Sequence, residues 1–167
     1  SNPKKLIGAD VSKKAINFSK QRLGLHKIDC EFLKLDENNN LLDLESNSID
    51  LIHSSGVLHH CKDLDIILSE FFRVLKEDGK IQIMVYNYNS LWVHLYVAYL
   101  IQVKEGRYKN LDLEEAFRKS TDGANCPISR CYKPNDFIQI MNSKGFDGKL
   151  NGVSISKTEL DLIEYIE

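Results

Sequence analysis

The sequence predicts an α/β fold built on a doubly wound, mostly parallel sheet, and three observations predict it. Short apolar runs of strand length alternate with segments of helical spacing, the connections between them are short, and the first three runs each end in acidic or small polar residues. With 167 residues, 43% of them hydrophobic and 28% charged, the chain is expected to form one soluble globular domain with a core that needs no disulfide staples.

Each element follows from its local pattern. Leu6-Ile7-Gly8-Ala9 is an apolar run ending at Asp10, and Ser12 precedes a segment in which Ala15, Ile16 and Leu23 share a helical face, closed by Gly24. Ile28, Cys30 and Phe32 alternate with polar residues and lead into a second strand ending at Asp36. Ile49-Asp50-Leu51-Ile52 is a third strand, followed by His53-Ser54-Ser55-Gly56, where small residues admit a ligand close to the backbone. Leu64, Ile67, Leu68, Phe71, Val74 and Leu75 predict a helix stopped at Gly79, and residues 80–86 a fourth strand.

The pattern changes after Tyr86. Helices over about 90–103 and 112–119 form an insert within residues 88–132, expected to be a lid on the substrate side. A polar loop then runs to Tyr132, Pro134 opens a further helix through Phe137, Ile140 and Met141, and Gly145 ends it. Residues 149–156 read as a strand, and residues 158–167 have both helical and strand character.

Composition excludes several classes. Lys and Arg total 22 against 24 Asp and Glu, a formal charge of -2, so the whole-chain basic field used in nonspecific nucleic-acid binding is lacking. No run approaches the roughly 20 apolar residues of a membrane span, and a cytoplasmic setting is expected. Four cysteines, at 30, 61, 126 and 131, are too sparse for a disulfide scaffold. Their spacing from the histidines offers no paired zinc motif, so no metal is expected.

In open parallel sheets ligands bind beyond the carboxyl ends of strands. Asp10 suits a ribose diol, since one carboxylate accepts from two adjacent hydroxyls, and Asp36 suits an exocyclic amino group such as that of adenine. Ser54, Ser55 and Gly56 would lie near the rest of such a ligand. A cap or turn role competes for each acid. His59 and His60 are the best general-base candidates, and a surface helix-start role competes for them.

Four segments in order carry a family resemblance: Ile7-Gly8-Ala9-Asp10-Val11-Ser12, Cys30 to Asp36, Ser48 to His60, and Glu70 to Lys80. The chain resembles the class I S-adenosylmethionine-dependent methyltransferases, particularly those acting on small molecules, over about residues 5–146. The resemblance implies a Rossmann-like sheet, S-adenosylmethionine as cofactor and a small-molecule methyl acceptor. By the same resemblance Asp10 binds the cofactor ribose, Val11 packs on adenine, Asp36 accepts from the adenine amino group with Glu37 beside it, and Ser54 and Ser55 lie near the methionine moiety. The segment from Thr121 to Tyr132 is similar to a substrate-side loop, and Tyr86, Tyr88, Trp92, Arg130 and Tyr132 are the substrate-side candidates. Aromatic rings there would flank the sulfonium methyl. The family's glycine-rich turn after its first strand has no counterpart here, and the strand ending at Asp10 is similar to the family's second. The sheet is therefore expected to lack its central first strand, as in an N-terminally truncated domain. The alternative is a noncatalytic methyltransferase-like binding module or an inactive fragment.

Overall fold

The structure is a computed structural model and describes residues 3–36, 42–152, 157–161 and 163. Its first half follows the predicted alternation: β1 (Ile7–Asp10), α1 (Lys13–Leu25), β2 (Glu31–Lys34), β3 (Ile49–Ser55), a 3-10 turn (Leu58–His60), α2 (Leu64–Val74) and β4 (Leu75–Met84). The second half comprises β5 (Tyr86–Asn87), a π-helix (Trp92–Lys104), α3 (Leu113–Thr121), β6 (Cys131–Tyr132), α4 (Pro134–Ser143) and α5 (Lys157–Asp161).

Three two-stranded ladders form among the described residues: β1 with β2, β3 with β4, and β5 with β6. The first and last are parallel. No ladder joins β1 to β3 among the described residues. Gly8 stands opposite Phe32 in the first ladder, and a Cβ there would meet the Phe32 ring at 3.0 Å, so glycine permits this close pairing.

The chain divides into two compact units, residues 1–51 with 65–80, and residues 52–64 with 81–167. In the first, Ser12 caps α1 by accepting from the Ala15 N–H at 3.2 Å. Ile67, Leu68 and Val74 bury one face of α2. Glu70, also buried, pairs with Arg73 one turn later and accepts from the Leu42 N–H at 3.0 Å. Arg73 in turn donates to the carbonyls of Leu44 and Leu42 at 2.9 and 3.0 Å, fastening α2 to that loop. The guanidinium beside Glu70 holds its carboxyl below the usual carboxylate range.

The helix ends at Val74, and the next strand begins at Leu75 rather than Lys80, with Gly79 inside it. The reason is in the backbone. Asn47 and Ser48 donate their N–H groups to the carbonyls of Arg73 and Val74 at 3.0 and 2.9 Å, occupying acceptors that a further helical turn would use.

In the second unit, Val93 and Val97 of the π-helix pack with Ala116 and Phe117 of α3 in a shared core. The Glu105 N–H bonds to the Leu100 carbonyl at 2.9 Å, the five-residue reach of a π-helix. Trp92 and Tyr96 stack along it at 4.1 Å. Asp112 caps α3 by accepting from the Glu115 N–H at 2.7 Å, and Pro134 opens α4 as predicted. Thr121 belongs to α3, so the loop begins at Asp122. Residues 149–152 of the expected strand have no regular structure, and residues 153–156 lie outside the described residues. The ambiguous C-terminal stretch is helical over Lys157–Asp161.

Candidate functional site

The first unit presents its candidates after β1 and β2. Asp10 is the last residue of β1, and its Oδ1 accepts from the Ser12 N–H at 2.6 Å, so a turn bond orients the carboxylate. Its backbone carbonyl accepts from the Leu35 N–H at 3.0 Å, tying the two strand ends together. Val11 is exposed, and Asp36 is exposed two residues beyond β2. Glu37 lies outside the described residues.

The second unit holds the other candidates. Ser54 and Ser55 close β3, the first buried and the second exposed. Gly56 follows at φ +74°, and its N–H reaches the Met84 carbonyl at 3.1 Å, turning the chain toward the histidines. The two histidines have different surroundings. His59 has no exposed surface, and neither ring nitrogen finds a hydrogen-bond partner among the described residues. Its ring lies 4.0 Å from that of Tyr86 and 4.2 Å from that of His60. Burial, reinforced by the neighbouring His60, pushes its pKa down to about 4, which leaves it neutral near pH 7.

His60 is half-buried and connected. Its Nδ1 lies 2.8 Å from the Ile128 carbonyl, which can only accept, so that nitrogen carries the proton in the neutral ring. Its Nε2 faces Asp122 Oδ1 at 4.0 Å, and Cys126 Sγ is 3.8 Å from Nδ1. Asp122 is the hub of the region: Oδ1 accepts from the Tyr86 hydroxyl at 3.0 Å, and Oδ2 from the Ser129 hydroxyl at 2.5 Å. The loop that carries these residues is held by backbone. The Arg130 N–H donates to the His59 carbonyl at 3.1 Å, the Arg130 guanidinium to the Cys61 carbonyl at 2.6 Å, and Arg118 to the Cys126 carbonyl.

Two of the five substrate-side candidates, Tyr86 and Arg130, therefore meet around the histidine turn. Burial and the Asp122 bond push the Tyr86 phenol up to about 12, so it stays protonated and donates to that carboxylate. Trp92 donates to the Thr121 hydroxyl at 2.9 Å and packs against the core with Tyr86. Tyr132 lies against Phe137 at 5.0 Å, and Tyr88 meets His94 edge-on at 5.3 Å with the Lys133 ammonium 5.5 Å from its ring. Sequence reasoning marked the segment of Asp122, Cys126 and Ser129 but chose none of the three. Its one usable signal was an acid followed by glycine directly after a helix, a pattern that reads equally as a helix end.

Comparison with known proteins bears on the fold. A family model described as a methyltransferase domain matches residues 1–83. Among solved structures, the chain is similar to an S-adenosylmethionine-dependent methyltransferase from Thermotoga maritima, titled a possible histamine N-methyltransferase, at 16% identity and a TM-score of 0.56, covering 84% of this chain and 55% of that one. A putative methyltransferase from Bacillus halodurans matches at 14% identity and 0.62, covering 86% and 53%. An S-adenosylmethionine-dependent methyltransferase from Methanosarcina mazei matches at 18% and 0.60, covering 84% and 68%. The chain thus spans about half the length of the first two. At these identities the structural likeness speaks to the fold, which is the Rossmann-like methyltransferase fold.

Proposed function

We propose that this chain, whose residues 1–83 match a methyltransferase-domain family model and whose fold is that of the class I S-adenosylmethionine-dependent methyltransferases, serves methyl transfer from S-adenosylmethionine to an O, N or C nucleophile of a small molecule. The observation that carries this reading is the family match over residues 1–83, which contains every cofactor candidate: Asp10, Val11, Asp36, Glu37, Ser54 and Ser55. The turn bond from Ser12 to Asp10 Oδ1 supports a ribose role, because a carboxylate oriented before ligand arrives loses less entropy on binding. The exposed Val11 supports an apolar contact with the adenine ring.

The transfer is an in-line displacement in which the acceptor's lone pair forms the new bond to the methyl carbon as the carbon–sulfur bond breaks. Its rate depends chiefly on alignment of nucleophile, methyl and sulfur. A general base is optional for such chemistry, and the environments of the two histidines divide their roles. Buried and neutral, His59 supports Tyr86 by packing. His60, half-buried beside Asp122, is the polar group offered to an acceptor. Equilibrium dialysis with labelled S-adenosylmethionine tests the cofactor assignment. The full chain is expected to retain the label and Asp10→Ala to lose about tenfold or more in affinity, the loss of a charge-assisted bond. Equal retention by Asp10→Ala would remove the ribose role.

A further inference from the structure

We propose that His60, Asp122 and Cys126 form a binding site for a divalent transition-metal ion of the zinc class. A ring nitrogen of His60, a carboxylate oxygen of Asp122 and the sulfur of Cys126 lie within 4.8 Å of one another, brought together from positions 60, 122 and 126. One nitrogen, one oxygen and one sulfur are the donors that zinc accepts, with bond lengths of about 2.0–2.3 Å, which sets ligand atoms roughly 3.3–3.8 Å apart around a tetrahedral ion. The 4.0 Å between His60 Nε2 and Asp122 Oδ1 nearly meets that spacing, and the Cys126 sulfur has to draw in only slightly from its place within 4.8 Å of the other ligand atoms.

The surroundings match what orients metal ligands elsewhere. His60 Nδ1 donates to the Ile128 carbonyl, which leaves the Nε2 lone pair for the ion, and Asp122 is steadied by the hydroxyls of Tyr86 and Ser129. Nε2 and Oδ1 face each other as two acceptors with no proton between them while the ring is neutral, an arrangement that a cation relieves. Binding would deprotonate the Cys126 thiol, now 3.3 Å from the Ile128 carbonyl, and release that proton to solvent. Three protein ligands leave a fourth position to water or another small ligand. The proposal rests on the cluster alone and not on methyl transfer; with the ion bound, His60 Nε2 is its ligand and is no longer offered to a methyl acceptor.

Cobalt(II) added to the metal-stripped full chain tests it. One equivalent is expected to bind, with the visible bands of a tetrahedral ion and a near-ultraviolet thiolate-to-cobalt band, both bleached by zinc. Cys126→Ser is expected to lose the thiolate band while keeping its far-ultraviolet dichroism, Cys61→Ser to keep the band, and His60→Ala to bind cobalt at least tenfold more weakly. The proposal is overturned if the unsubstituted chain binds no stoichiometric cobalt, if its cobalt spectrum lacks the thiolate band, or if the band survives in Cys126→Ser. The first two outcomes are read on the unsubstituted chain and need no variant to fold.

Discussion

The Tyr86 hydroxyl donates to Asp122 Oδ1 across 3.0 Å, so that a residue of β5 is held by one that lies 36 positions later, just beyond α3. The same carboxylate receives Ser129, which makes Asp122 the point through which the loop after α3 is tied to the strand. Tyr86→Phe removes one donor to a largely buried carboxylate and is expected to cost about 1–3 kcal/mol. Thermal unfolding followed by circular dichroism should show Tm lowered by roughly 2–4 °C per kcal/mol. An unchanged Tm would mean that the bond carries no net stabilisation.

His59 makes the opposite prediction. A buried imidazole with two unpartnered nitrogens is a liability, and an apolar side chain of similar volume removes it. His59→Leu is expected to leave the denaturant midpoint unchanged or raise it. A loss of about 2 kcal/mol or more would show that the ring has a hydrogen-bonding role in solution.

Glu70 and Arg73 give the pH dependence. Arg73 lowers the folded-state pKa of Glu70 below its unfolded value, so the unfolded chain takes up a proton first as the solution is acidified. The resulting stabilisation is complete above the ordinary carboxylate pKa and is lost as pH falls through the lower folded value. Urea midpoints should therefore drop on acidification below about pH 4.3, and Glu70→Gln should flatten that part of the profile. An identical acid limb in Glu70→Gln would refute the assignment.

Packing separates two phenylalanines. Phe117 is 2% exposed in the core shared by the π-helix and α3, whereas Phe18 on α1 is 62% exposed. Phe117→Ala is expected to cost about 3–5 kcal/mol and Phe18→Ala about 0.5 kcal/mol or less, both read from denaturant unfolding. Equal effects would contradict the placement of the core.

Most of the α/β alternation was legible because it is a local signal. Ile7 to Asp10, Ile67 with Leu68, and Pro134 each state their element within a few residues. The start of β4 was not legible, because residues 75–80 read as a helix end and turn until Asn47 and Ser48 claim the carbonyls of Arg73 and Val74. The π-helix has the same apolar content as an α-helix, and the five-residue bond to Leu100 leaves no compositional trace. At the site, the histidine pair was visible as a motif, but the difference between His59 and His60 comes from the loop around Ile128 and Arg130, nearly 70 residues away. Asp122 and Cys126 were hidden for that reason: their partners are distant in sequence, and spacing rules for metal sites look only for close pairs.

The central claim is that this chain uses S-adenosylmethionine, and its most direct test is calorimetric titration of the full chain with S-adenosylhomocysteine. The account predicts a saturable heat with one ligand per chain, weakened in Asp10→Ala while the variant's thermal unfolding stays cooperative. A flat titration of the unsubstituted chain at high ligand concentration, with the chain folded, would contradict it.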